Sequence, residues 1–223
     1  MKLHSFIILL GTAIIFITFC VAISFARKAK PFYYKYVFIL IVLGLLLSTN
    51  TISGNNYIWL SGLRLRIFFE QLITSLQFLV TSLCFLEILK KTKFAKKIKW
   101  LLALLVLMQI TLIIIVHLTN TEIRSGSLPN LIILIFVFFY LKDLMGTKPR
   151  LILAQSSTFW LVMGFFFFSC IGFPISCLIP FIPRTPEYSN LHFQIFSIFN
   201  VSLIIMYLFI IKSYLCLMHP QNS

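Results

Sequence analysis

The sequence predicts an all-α polytopic membrane protein. It is one seven-transmembrane-helix bundle over residues 1–223, with the N-terminus outside and the C-terminus cytoplasmic. Three observations lead there. Hydrophobic residues make up 60% of the chain and charged ones only 11%, against roughly 25% charged in soluble domains. The apolar residues gather into seven runs, each near the ~20 residues needed to cross about 30 Å of hydrocarbon. The basic residues cluster at alternate ends of those runs, the pattern that orients membrane helices.

The first run, Ser5 to Phe25, is longer than the apolar core of a signal peptide, and its basic cluster Arg27, Lys28 and Lys30 follows rather than precedes it. It reads as an uncleaved span. The second covers Tyr33 to Thr51 and the third Ile67 to Leu89. The fourth, Trp100 to Leu118, follows a lysine-rich loop. The segment Thr119 to Asn130, built from Thr, Asn, Glu, Arg, Ser, Gly and Pro, cannot satisfy its backbone in lipid and reads as a loop. It bounds the fifth and shortest run, Leu131 to Met145, and the sixth and seventh are Phe159 to Ile179 and Phe193 to Ile211.

Orientation follows from the basic residues. With the N-terminus outside, the inner side carries Arg27, Lys28, Lys30, Lys35, Lys90, Lys91, Lys93, Lys96, Lys97, Lys99, Lys142, Lys148, Arg150 and Lys212, which is 14 of 19. The outer side keeps Lys2, Arg64, Arg66, Arg124 and Arg184. Lys and Arg beside short loops are retained in the cytoplasm, so this arrangement is preferred over its reverse.

The net charge of +14 is explained by these membrane-end positions, and no nucleic-acid partner is expected. Lys90, Lys91, Lys93, Lys96, Lys97 and Lys99 form a topological anchor that touches anionic lipid headgroups or, in a second reading, a docking site for an acidic protein partner. The five cysteines lie in or near spans and suggest no disulfide framework. The four histidines are scattered singly, with no pair at metal-ligand spacing. Five carboxylates in the whole chain, with no His/Asp or Ser/Lys grouping, argue against an enzyme, and no cofactor is expected.

The third run carries the most informative local pattern. Arg66, Glu70, Thr74, Gln77, Thr81 and Cys84 recur every three or four residues and share one helix face. An ionisable group inside a span costs roughly 2.5 to 3.5 kcal/mol at the centre, so the stripe faces other helices or water. Two readings stand. In one, the stripe is packing glue, with an Arg66/Glu70 pair setting register. In the other it lines an outward-facing pocket in which Arg64 and Arg66 attract an anionic ligand or headgroup, oriented by Thr74 and Gln77. The sixth run holds Gly164, Gly172 and Pro174, which allow close approach and a kink. The seventh places Gln194, Ser197, Asn200 and Tyr207 on a second polar face, read as packing or, for Asn200 and Tyr207, as further ligand contacts.

The stretch Ser157 to Cys216 also carries a resemblance. Ser-Thr-Phe-Trp-Leu-Val-Met-Gly (Ser157 to Gly164) and Phe-Asn-Val-Ser-Leu-Ile-Ile-Met-Tyr-Leu-Phe-Ile-Ile-Lys-Ser-Tyr-Leu-Cys (Phe199 to Cys216) resemble the end of the seven-helix membrane sensory region associated with bacterial sensor histidine kinases. In that family a Phe-Trp pair opens the sixth span after a proline, and the seventh holds an Asn, an aromatic or Leu-rich run, and a basic, aromatic exit. Phe159, Trp160, Asn200, Tyr207 and Lys212 take those positions here, without the proline. The chain ends eleven residues after Lys212, where a kinase would begin. The resemblance covers about a quarter of the sequence. It implies a receptor in the bacterial cytoplasmic membrane that acts without a kinase domain of its own, through helix movement felt by a cytoplasmic signalling protein, alone or as a homo-oligomer.

A different class remains open, a small membrane transporter or channel for a solute or lipid, with a polar path through Gln77 and Asn200. Against it, Glu70 and Glu87 lie near opposite ends of their span, and seven runs do not divide into inverted repeats. A retinal protein is not expected, since Lys212 sits at the end of the seventh span and not inside it.

Overall fold

Seven α-helices stand where the seven apolar runs are. The computed structural model describes residues 2–25, 31–52, 63–90, 92, 94–119, 127–147, 153–183, 185 and 188–217, and all regular structure among them is helical. The helices are α1 (Lys2–Phe25), α2 (Tyr33–Ile52), α3 (Leu63–Ile88), α4 (Ala95–Thr119), α5 (Ser127–Thr147), α6 (Ser157–Leu178) and α7 (Ser189–Cys216). Most run past the apolar stretch that marks them, because the backbone ladder continues wherever polar side chains can turn to water. Thus α4 takes Lys96, Lys97 and Lys99 into its first turns. The expected loop from Thr119 to Asn130 is shorter than its composition suggests: Ser127, Leu128, Pro129 and Asn130 form the first turn of α5. Pro129 is tolerated there because first-turn N–H groups have no partner within the helix.

Among the described residues, four segments are long and apolar enough to cross a bilayer: Phe6–Phe25, Ser127–Gly146, Ser157–Phe181 and Ser189–Cys216. Within the described residues α2 and α3 also carry apolar stretches, Tyr33–Leu47 and Leu72–Ile88.

Each helix packs on its neighbour in sequence, and α7 closes against α1, so the seven make a ring in which α3 also touches α5. Particular contacts fix the directions. Phe19, late in α1, stacks on Phe38, early in α2, at 5.7 Å. Phe94, just before α4, stacks on Phe139, late in α5, at 4.9 Å. Asn130 at the start of α5 lies against Gly172 near the end of α6. Successive helices are therefore antiparallel. The C-terminal ends of odd helices and the N-terminal ends of even ones meet at one end of the bundle. Every lysine with a described side chain, namely Lys35, Lys90, Lys96, Lys97, Lys99, Lys142 and Lys212, is exposed at that end, which we call the basic end.

The interior is apolar and closely packed. Phe85 of α3 lies between Phe136 of α5 and Phe165 of α6, with ring centroids at 5.7 and 5.6 Å, and Ile41, Leu105, Leu161 and Ile210 are sealed around them. Tyr207 of α7 is buried with its phenol oxygen directly over Gly44 of α2, in the space a Cβ would take. The flanks are as apolar as the core: Leu9, Phe16, Leu104, Leu107, Ile110, Phe138 and Leu208 are all exposed. So large an apolar surface suits hydrocarbon, not water.

Candidate functional site

Side chains that hydrogen-bond between helices concentrate at the basic end, on α2, α6 and α7. The start of α6 is set by Ser156, whose Oγ accepts from Phe159 N–H at 3.4 Å and so satisfies one of the free donors of the first turn. That cap brings Ser157 and Thr158 to the entrance of the bundle. The Tyr33 hydroxyl meets Thr158 Oγ1 at 2.8 Å. Tyr34 donates to Ser213 Oγ at 2.6 Å, and Ser213 Oγ in turn donates to the Ser157 carbonyl at 2.7 Å. The Tyr34 ring also lies 4.8 Å from that of Tyr214. Tyr34, Ser213 and Tyr214 are all buried. A chain of donors and acceptors thus ties three helix ends together. These bonds hold the ends of α2, α6 and α7 in position relative to one another.

Most other hydroxyls are satisfied within their own helix. Thr12, Thr18, Ser24, Thr81, Ser82, Thr111 and Ser197 each donate to the carbonyl four residues back, at 2.7 to 3.0 Å. This local bond lets a polar side chain sit in an apolar setting without an interhelical partner. It bears directly on the residues expected to form a ligand pocket. In the α3 stripe Thr81 bonds to Gln77 O, Cys84 is sealed in the core, and Thr74 and Gln77 are half-buried. The side chains of Arg64, Arg66 and Glu70 lie outside the described residues. Asn200 folds back to donate to Phe196 O at 2.9 Å, and Tyr207 is buried against Gly44. Among the described residues α7 packs mainly along α1 and α6, and α3 mainly along α2 and α4. In the lysine cluster Lys90 pairs with Glu87 at 3.1 Å. Lys96, Lys97 and Lys99 are exposed on α4, and Lys91 and Lys93 lie outside the described residues.

Away from the basic end the interior is less well satisfied. Ser75 of α3 donates to Gln109 Oε1 of α4 at 2.9 Å, which leaves Gln109 Nε2 buried without a partner. Asn130 Oδ1 and Ser169 Oγ are likewise buried and unpartnered. Asn130 rests on Gly172, one turn from Ser169 on α6. Pro174 follows in the same helix, and its missing N–H removes a further backbone bond, to the Cys170 carbonyl.

The polar residues that join helices, Tyr33, Tyr34, Ser157, Thr158 and Ser213, were not singled out as a cluster by spacing along the sequence. The alternating topology held the signal: the Tyr-Tyr opening α2, the Ser-Ser-Thr opening α6 and the Ser-Tyr closing α7 all fall at one end. Among the described residues, no three His, Cys, Asp or Glu side chains are close enough to share a metal ion. No family model, curated protein or solved structure matches the chain.

Proposed function

We propose that the chain is an integral membrane receptor of the bacterial cytoplasmic membrane. It crosses the membrane seven times, N-terminus outside and C-terminus inside, and passes a signal to a cytoplasmic protein through movement of its helices. The observation that carries this reading is the unequal fastening of α6. At the basic end α6 is tied to α2 and α7 through Thr158 and the Ser157 carbonyl. In its other half it holds the unpartnered Ser169, leans on Asn130 and contains Pro174. A ligand that supplies hydrogen bonds in that half favours one helix arrangement over another. The helix then carries the displacement to the hydroxyl chain.

The asymmetry of charge supports the orientation, since lysine-rich ends are retained in the cytoplasm. Trp100, 71% exposed, and Trp160 sit at the same end, where indoles mark the membrane–water interface. Lys96, Lys97 and Lys99 offer the surface for an acidic partner, and the outer-end Arg64, Arg66 and Glu70 enter as ligand contacts on sequence grounds alone. A transporter or channel is the second reading. It draws on Gln109, Asn130 and Ser169, whose free polar atoms suit a solute path. Cross-linking the tagged chain in its native membrane, followed by purification in mild detergent, separates the two. The receptor reading expects a cytoplasmic signalling protein in stoichiometric amount, lost when Lys96, Lys97 and Lys99 are changed to Gln. Recovery of only self-associated chain with bound solute or lipid overturns it in favour of transport.

A further inference from the structure

We propose that the lateral face of the α6–α7 seam is a binding site for an anionic phospholipid, with the phosphate at Lys212 and an acyl chain lying along Trp160, Phe209 and Phe167. These residues form a continuous column. The Lys212 ammonium stands 5.9 Å from the centre of the Trp160 ring. Trp160 stacks on Phe209 at 5.5 Å with 22° between planes, and Phe209 stacks on Phe167 at 5.4 Å with 3°. Going away from the basic end, the order is cation, indole, phenyl, phenyl.

Gly164 makes the column possible. It lies between Trp160 and Phe167 on α6, and a Cβ there would stand 3.0 Å from Phe209 Cβ and 3.1 Å from the Met206 carbonyl oxygen. Its absence lets α7 come close enough for the Phe209 ring to enter between the two α6 rings. Trp160 and Phe167 are two turns apart, about 10 Å along the axis, or about two-thirds of one leaflet's hydrocarbon depth of ~15 Å. The rings are held flat against one another and lose little freedom when a chain lies on them. Phe167 remains 40% exposed, so the column is open to the side.

The head end selects for negative charge. Lys212 is exposed, and among the described residues no carboxylate pairs with it; Glu87 is engaged by Lys90. Lys35, whose ammonium lies 4.5 Å from the centre of the Phe32 ring, stands at the same end on α2. Basic groups between helices at this level bind lipid phosphates. An anionic phospholipid offers both a phosphate and an acyl chain; a soluble acidic protein offers no chain for the ring column. The proposal rests on α6 and α7 crossing a bilayer, and it holds whether or not the chain is a receptor.

The test uses Trp160 as reporter. With Trp59 and Trp100 changed to Phe, the full chain is reconstituted into mixed vesicles in which either phosphatidylglycerol or phosphatidylcholine carries brominated acyl chains, at equal mole fraction. Brominated phosphatidylglycerol is expected to quench Trp160 as though enriched about fivefold at the site. Lys212→Gln should bring the ratio to near one, and Lys212→Arg should retain it. If Lys212→Gln does not fold, raised salt applied to the unaltered site should remove the preference. Equal quenching by the two lipids, or a preference indifferent to both Lys212→Gln and salt, overturns the site. Such a result would leave the spanning of α6 and α7 intact, since quenching by either lipid reports that Trp160 lies at hydrocarbon.

Discussion

Gly164→Val is expected to destabilise the protein by about 3 kcal/mol, at the upper end of what overpacking a well-filled interior costs. The added Cβ meets two groups that cannot easily yield. One is the Cβ of Phe209, fixed by ring stacking on both sides, and the other is the backbone carbonyl of Met206. A branched side chain adds two more methyl groups to the same space. The seam between α6 and α7 would have to open, and the ring column with it. Thermal unfolding in mild detergent checks the stability, and Trp160 emission checks the seam. A variant as stable as the parent, with unchanged emission, would mean that the two helices are not packed as described. Gly172→Ala makes a useful contrast, because the nearest atom there is the amide end of a side chain, Asn130 Nδ2 at 3.0 Å.

Ser213→Ala should cost about 2 kcal/mol, within the range for leaving a buried hydrogen-bonding group unsatisfied. One hydroxyl both accepts from Tyr34 and donates to the Ser157 carbonyl, so its loss breaks the relay in the middle. Tyr34→Phe removes only the first link. Because the two side chains act as a unit, the double variant should cost less than the sum of the singles, with a coupling of at least about 0.5 kcal/mol. Additive costs would show that the relay does not join the helices. In the receptor reading, Ser213→Ala also weakens transmission while leaving ligand affinity nearly unchanged.

Much of the architecture was legible because hydrophobic run length is a strong signal when the solvent is a bilayer. The run Phe159 to Ile179 became α6 (Ser157–Leu178) almost as drawn, whereas α7 (Ser189–Cys216) extends the run Phe193 to Ile211 by about a turn at each end. Ends were less legible: Lys96, Lys97 and Lys99 are too polar for a hydropathy run yet continue the ladder of α4, and Pro129 marks a helix start where composition suggests a loop. The site was harder to read for a related reason. A periodic stripe records which face a side chain occupies but not whether its hydroxyl is already bonded to its own helix, as those of Thr81 and Ser197 are. The contacts that do join helices pair residues far apart in sequence, such as Tyr34 with Ser213 and Ser75 with Gln109. Only the ring order and the antiparallel directions bring them together.

In the proposed receptor the lysine-rich end is the cytoplasmic face of a bundle in which α3 crosses the membrane. Asn56→Cys and Lys97→Cys lie on the chain before α3 and at the start of α4. Each is labelled with a membrane-impermeant maleimide and compared with the parent carrying its native cysteines. The expected result is labelling of Asn56→Cys in intact cells and of Lys97→Cys only after the membrane is permeabilised. Labelling of both from the same side, or of Lys97→Cys alone in intact cells, would contradict the seven-span, N-outside arrangement.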